Sequence, residues 1–418
     1  MRFFLIIAPI VLGVATAVDP ALGSTGEFYG IYREHPGAIE AHSVLLHWAW
    51  ILFVPGFVAL LDPIRRRGAV LARIAWIATV LGLVTFSALM ASDLFVLALE
   101  QTFADNETVQ KVNRTFESLG AWPTAGWQIP GVVGWMIALI VTPIAAARAR
   151  VISWWTAGAA LVGTALYLQF AASPMPWSLA GPVVLTGAYG FAFRSVGSFT
   201  PAADEPDTFG AFRHAFGRVC MVLAPVSFAV GLATVPGFEP DPAQLVQHPV
   251  QSQASAFFLH LGWLLFIPAV LTLMRGGGRF ARIAGVVTVL ALANFSGLMV
   301  GDYLDLAARM VLTPEQAQQV SDAMGTYNGF AFSWVLFGMF GTLLGLILVA
   351  TATTVDGRSR WWVPALVGAG VVAFLVLGVG PLSLLSPVLL LAGFGLLARG
   401  LGSSAAPRPA PAPAPLAG

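Results

Sequence analysis

Four ionisable side chains stand inside long apolar runs of this 418-residue chain: His47, Asp93, His260 and Asp302. An Asp at the centre of a membrane helix costs about 2.5 to 3.5 kcal/mol on insertion scales, so its presence asks for a use. A buried carboxylate beside an imidazole can share a proton, and such a pair can serve as a proton relay or as general acid and base. His47 lies six residues, about 9 Å, inside the start of its run at Ala41, and Asp93 lies seven residues, about 10 Å, inside the end of the next run at Glu100. Matching depth on consecutive antiparallel helices predicts a His47/Asp93 pair, and the same count predicts a His260/Asp302 pair. The bland alternative is that each is an interhelical hydrogen bond worth about 0.6 to 2 kcal/mol. Glu40 and His42 crowd the start of the first run, and Trp50 and Trp263 follow the two central histidines by three residues. These four are the candidate substrate-binding residues.

Two further histidines, His35 and His248, each precede a proline and stand twelve residues before His47 and His260. If the proline opens a helix, the two members of each pair lie about 18 Å apart and cannot share an ion. His-Pro therefore reads as a helix start. A symmetric His47/His260 pair on one haem or metal ion needs both helices at a common axis, and nothing in the sequence places them there. No cofactor and no metal is expected. The single cysteine, Cys220, excludes an internal disulfide and a multi-thiolate metal site.

The elements that must position these residues follow from composition. The chain is 57% hydrophobic and 10% charged, with a mean hydropathy of +0.81. An ordinary soluble domain is about 25% charged. The expected class is an all-α integral membrane protein with the lipid bilayer as its main partner. A formal net charge of +1 gives no field for nucleic acid. Twelve apolar runs are long enough to be spans, near 3–18, 41–61, 72–99, 129–147, 152–172, 177–193, 215–235, 254–273, 282–308, 327–352, 361–379 and 381–398. The first ends in Ala15-Thr16-Ala17, as a cleaved signal would, and is expected to be a retained helix. With the N-terminus cytoplasmic, seventeen of the 21 basic residues fall on the cytoplasmic side, which predicts cytoplasmic termini in a bacterial cell membrane. The Ala/Pro-rich tail, 405–418, reads as a disordered cytoplasmic end.

The runs fall into two copies of one pattern. His47, Trp50, Phe53 and Pro55 meet His260, Trp263, Phe266 and Pro268 at an offset of 213, and Phe86, Ser87 and Asp93 meet Phe295, Ser296 and Asp302 at 209. Trp127 meets Trp334 at 207. Six helices per copy is an even number, so both copies enter the membrane the same way and their symmetry axis should lie along the membrane normal. The expected organisation is two parallel six-helix repeats, 1–200 and 201–404.

Twelve helices in two parallel halves resemble the major facilitator transporters, and the loop Asp62-Pro63-Ile64-Arg65-Arg66-Arg67-Gly68 is similar to their Gly-x-x-x-Asp-Arg-x-Gly-Arg-Arg loop. Val58 stands where that loop has its glycine, Pro63 follows the Asp directly, and the corresponding loop at Arg275–Arg279 has no Asp. The resemblance implies transport of a small molecule. From the residues themselves the first expectation is a transporter or exporter of a small lipophilic compound, proton-coupled through the His/Asp pairs. A membrane-embedded acid–base isomerase or cyclase acting on a lipidic substrate, and a non-catalytic resistance or assembly protein, are the alternatives.

Overall fold

The computed structural model describes residues 1–24, 29–201, 205–237, 242–378 and 380–403, so the tail expected at 405–418 lies outside the described residues. Within them the chain is helical and no strand occurs. Hydrocarbon dictates this, because a backbone N–H or C=O in lipid must be satisfied within its own segment. In chain order the principal helices are α1 (Phe4–Ala17), α2 (Pro36–Leu61), α3 (Ala69–Thr102), α4 (Ala121–Arg148), α5 (Trp154–Phe170), α6 (Ala180–Ser198), α7 (Thr208–Ala233), α8 (Pro249–Met274), α9 (Arg279–Val311), α10 (Asn328–Val355), α11 (Trp362–Leu377) and α12 (Pro381–Leu401). Eight of these are long and apolar enough to cross a membrane: α2, α3, α4, α7, α8, α9, α10 and α12. Helices also stand at the other four expected places. They are shorter or less apolar, and the 14 residues of α1 reach only about 21 Å against a hydrocarbon core of about 30 Å.

His35 and His248 cap the N-termini of α2 and α8, with Pro36 and Pro249 in the first turn. The proline lacks an N–H at a position where no helical acceptor exists for one. The His-Pro reading is thus the one the chain adopts. Helix α1 belongs to the bundle, since Leu5, Ala8, Leu12 and Ala15 are fully buried. A Cβ at Gly56 of α2 would stand 3.1 Å from the backbone nitrogen of Leu5. Trp154, Trp155 and Trp361 lie exposed at helix starts after arginine-bearing loops, where an amphipathic ring suits a membrane surface.

Two helices break, and the breaks set up the site. At 34 residues, about 51 Å, α3 is too long for one straight crossing. It turns tightly at Leu89 and Met90, whose N–H groups donate three residues back to Phe86 O and Ser87 O. In α9 the Met299 N–H donates to Ser296 O in the same way. The helix then restarts as Ala91–Thr102 and as Val300–Val311, with Asp93 and Asp302 in the first turn of each. A helix start offers unsatisfied N–H groups and the positive end of its dipole, so a carboxylate is less costly there than within an unbroken span.

Candidate functional site

His47 is the twelfth of the 26 residues of α2, and its ring is fully buried. Nδ1–H donates to Ser87 O at 2.9 Å, on the carbonyl just before the break in α3. Nε2 lies 3.0 Å from Oδ1 of Asn294 on α9, whose Nδ2–H donates to Leu290 O. A proton on both ring nitrogens, or an amide turned to offer Nδ2–H, completes that bond. The ring stacks on Trp334 of α10, with centroids 4.2 Å apart.

His260 in α8 repeats the arrangement with the halves of the chain exchanged. Its Nδ1–H donates to Ser296 O at 3.1 Å, and Thr85 of α3 offers its hydroxyl to Nε2 at 3.1 Å. The ring stacks on Trp127 of α4 at 3.7 Å between centroids, and the Trp127 Nε1–H donates to Thr85 O. Each histidine thus ties a broken helix of its own half to residues of the other half.

The expected pairing with the aspartates does not form, because both nitrogens of each ring have these other partners. Asp93 instead accepts from Ser43 Oγ at 3.2 Å and is faced by the Tyr32 hydroxyl and by His42. Burial, and then the carboxylates of Asp93, Asp19 and Glu100, push the Tyr32 phenol pKa up, so it remains a hydrogen-bond donor. Asp302 is exposed and sits one turn from Asp305, which is paired with Arg309 at 2.6 Å. Rise per residue sets Asp and His at one height and leaves open the direction each takes around its helix.

The other expected residues divide. His42 Nδ1–H donates to Ala15 O at 2.9 Å and its Nε2 lies 3.9 Å from Asp19, so it joins the polar cluster around Asp93. Glu40 accepts from the Gly329 N–H at 2.6 Å, a tie from α2 to the start of α10. Trp50 and Trp263 are each 1% exposed. Trp50 sits edge-on to Phe86, Trp135 and Tyr167, while Trp263 is held by Phe228 and Phe295. Both tryptophans pack the bundle.

Residues that sequence reading passed over include Asn294, Thr85 and Arg213. Asn294 is an amide inside an apolar run, and a search restricted to charged groups and histidine misses it. Thr85 stands 209 positions before Asn294, at the same offset as Phe86 before Phe295. Glu100 reads in the sequence only as the end of a run. It is 1% exposed, with Oε2 accepting the Arg33 N–H and Oε1 without a hydrogen-bond partner.

The end of the bundle that carries most arginines holds a cavity of about 1190 Å³. It lies between the last turns of α2 and α8 and the first turns of α7 and α9, so both halves of the chain line it. Asp62 bridges them across its wall, pairing with Arg213 at 2.7 Å and with Arg275. At the opposite end the halves are tied by Glu40 to Gly329, by Tyr327 OH to Gln101 Oε1 at 2.7 Å, and by Trp48 Nε1 to Ser333 Oγ at 2.9 Å. Among the described residues no three His, Cys, Asp or Glu side chains converge as a metal site would require.

No family model, characterised protein or solved structure matches the chain.

The bridge at Asp62 yields a pH prediction. Burial raises its pKa, but the Arg213 and Arg275 guanidiniums outweigh that and hold the carboxyl below its usual value. A depressed folded-state pKa gives stability that is present above the unfolded value of about 3.9 and is lost as pH falls through the folded value. Detergent-solubilised protein should therefore melt earlier as pH falls from about 5 to about 2, and Asp62→Asn should flatten that acid limb. The carboxylate is 58% exposed, so the effect should be within about 1 kcal/mol and shrink with salt. An acid limb unchanged in the variant would assign the loss to other carboxylates.

Proposed function

We propose that the protein is a transporter, an exporter or facilitator of a small lipophilic compound, in the cytoplasmic membrane of a bacterium. In this reading twelve helices form two parallel six-helix repeats, with both termini cytoplasmic and the arginine-rich end facing the cytoplasm. One observation carries it: a cavity lined by both halves of the chain, below a middle that is closed by crossed contacts from both halves. A vestibule that stops at a sealed waist is what one state of an alternating-access carrier presents.

Two further features support the reading. Helices broken at mid-membrane, with ionisable groups at the restart, are a recurrent device for substrate and ion sites in transporters. The duplicated contact sets suit a reading in which two bodies rock against each other about the His47 and His260 crossings. An acid–base enzyme has less support, since both central imidazoles and the Asp93 carboxylate are engaged elsewhere and neither imidazole meets its expected aspartate. Proton coupling falls to Asp93 with Tyr32 and His42 rather than to a His47/Asp93 dyad.

The test is a mass-spectrometric comparison of medium and cell extract from cells expressing the wild type, Asp93→Asn or Asp302→Asn. At least one lipophilic compound should be enriched outside wild-type cells, with the enrichment falling about ten-fold or more in Asp93→Asn, because a neutral amide cannot carry a proton. Identical distributions in all three strains and in cells without the protein would remove the transport reading.

A further inference from the structure

The cavity at the arginine-rich end has a charge pattern that the transport of a neutral lipophile does not need. Six arginines line it, Arg2, Arg65, Arg213, Arg275, Arg279 and Arg282, against the carboxylates of Asp62 and Asp207. Asp62 is shared by Arg213 and Arg275, and Asp207 pairs with Arg65 at 3.4 Å. Arg2, Arg279 and Arg282 have no carboxylate partner among the described residues. Arg213 is only 3% exposed, its guanidinium lies 4.2 Å over the Phe209 ring, and its Nε is buried with no hydrogen-bond acceptor. Its Nη1 and Nη2 donate to Asp62 and hold the guanidinium at the wall, so Arg2, Arg279 and Arg282 are the cavity charges left without an anion among the described residues.

The same wall is apolar on its other side. Phe3, Ile283 and Val287 line the cavity and are 61, 56 and 43% exposed. Such surface is tolerable where hydrocarbon covers it. Guanidinium forks match phosphate oxygens two at a time, and basic pockets between membrane helices hold phospholipid head groups.

We propose that this cavity binds an amphiphile whose phosphate head group carries a net negative charge, the phosphate between Arg213, Arg279 and Arg282 and the hydrocarbon chain along Ile283, Val287 and Phe3. The proposal deepens the transport reading by naming the chemistry of the ligand. Binding and movement are read out separately, so either can fail alone.

The experiment uses the purified, delipidated full chain, offered dioleoylphosphatidylglycerol or zwitterionic dioleoylphosphatidylcholine and weighed by native mass spectrometry. The anionic lipid should be retained about ten-fold or more over the zwitterionic one, and inorganic phosphate at about 10 mM should compete. Arg213→Gln should lose the preference but also breaks the bridge to Asp62 and can fail to fold. The decisive variant is therefore Arg279→Gln with Arg282→Gln, both exposed, which should melt as the wild type does and lose most of the preference. Equal retention of the two lipids would overturn the proposal, as would a preference that survives in the double variant. Binding of inorganic phosphate with no preference between the lipids would make this a free-anion site and would equally overturn it. Lipid retained as expected, with no compound moved in the cell assay, would overturn the transport reading and leave this site standing.

Discussion

Gly82→Leu is expected to prevent the bundle from assembling. Gly82 on α3 faces Gly134 on α4 so closely that an added Cβ would stand 2.8 Å from the Gly134 carbonyl carbon and nearer still to its Cα. Both obstacles are backbone, so no rotamer relieves the clash and the two helices must move apart. One turn along α4 the fit is almost as tight, since a Cβ at Gly131 would meet the Phe86 nitrogen at 3.1 Å. In lipid no hydrophobic force drives one helix onto another, and small residues that let backbones approach supply much of the packing energy. Overpacking typically costs about 1 to 3 kcal/mol, and a clash of two backbones should exceed that range. Thr85, three residues on, would be carried away from His260 and from the Trp127 indole, so the crossing of the halves would open as well. Size-exclusion chromatography of the solubilised variant should show little or no monodisperse protein. Gly187→Leu is the control, because nothing lies within 4 Å of a Cβ there. A Gly82→Leu protein that elutes and melts like the wild type would refute this account of the α3–α4 contact.

The features of this fold legible in the sequence were those written as local signals. Apolar runs gave the helices, and His35-Pro36 and His248-Pro249 marked two helix starts that the chain adopts. The in-register recurrence of His47 with Ser87 and of His260 with Ser296 became two matching hydrogen bonds. Unreadable was anything that depends on rotation about a helix axis. Counting residues from a membrane surface fixes the height of Asp93 and His47, while the tight turn at Leu89 and Met90 decides which neighbour the Asp93 side chain faces. Ser43 and Tyr32 are those neighbours. The cavity was equally hidden, because it is a property of how far apart four helix ends stand. Arginines that sequence assigns to topology alone become the lining of that space once α7 and α9 bring Arg213 and Arg282 to it.

Replacing both central histidines should cost more stability than any exposed substitution in the chain, and the way the cost divides tests what they do. His47→Ala removes a donor from Ser87 O, a partner from Asn294 and a ring from the face of Trp334, and leaves a void in a fully buried place. Lost hydrogen bonds of about 1 kcal/mol each and a cavity term give about 3 kcal/mol, and His260→Ala should be similar. Asn294→Leu alone orphans His47 Nε2, while the pair His47→Phe with Asn294→Leu removes both partners and keeps a ring on Trp334. The cycle should therefore return a coupling of about 1 kcal/mol between residues 47 and 294 in thermal unfolding. A proton-relay histidine predicts the contrary pattern, in which melting is unchanged by His47→Phe and the pH dependence of export disappears. If the crossing is a waist that holds the halves together, the proposed export should fall in step with stability in the surviving variants while its pH profile keeps its shape. An intact melting temperature with a flattened pH profile would make His47 the proposed proton carrier in place of Asp93.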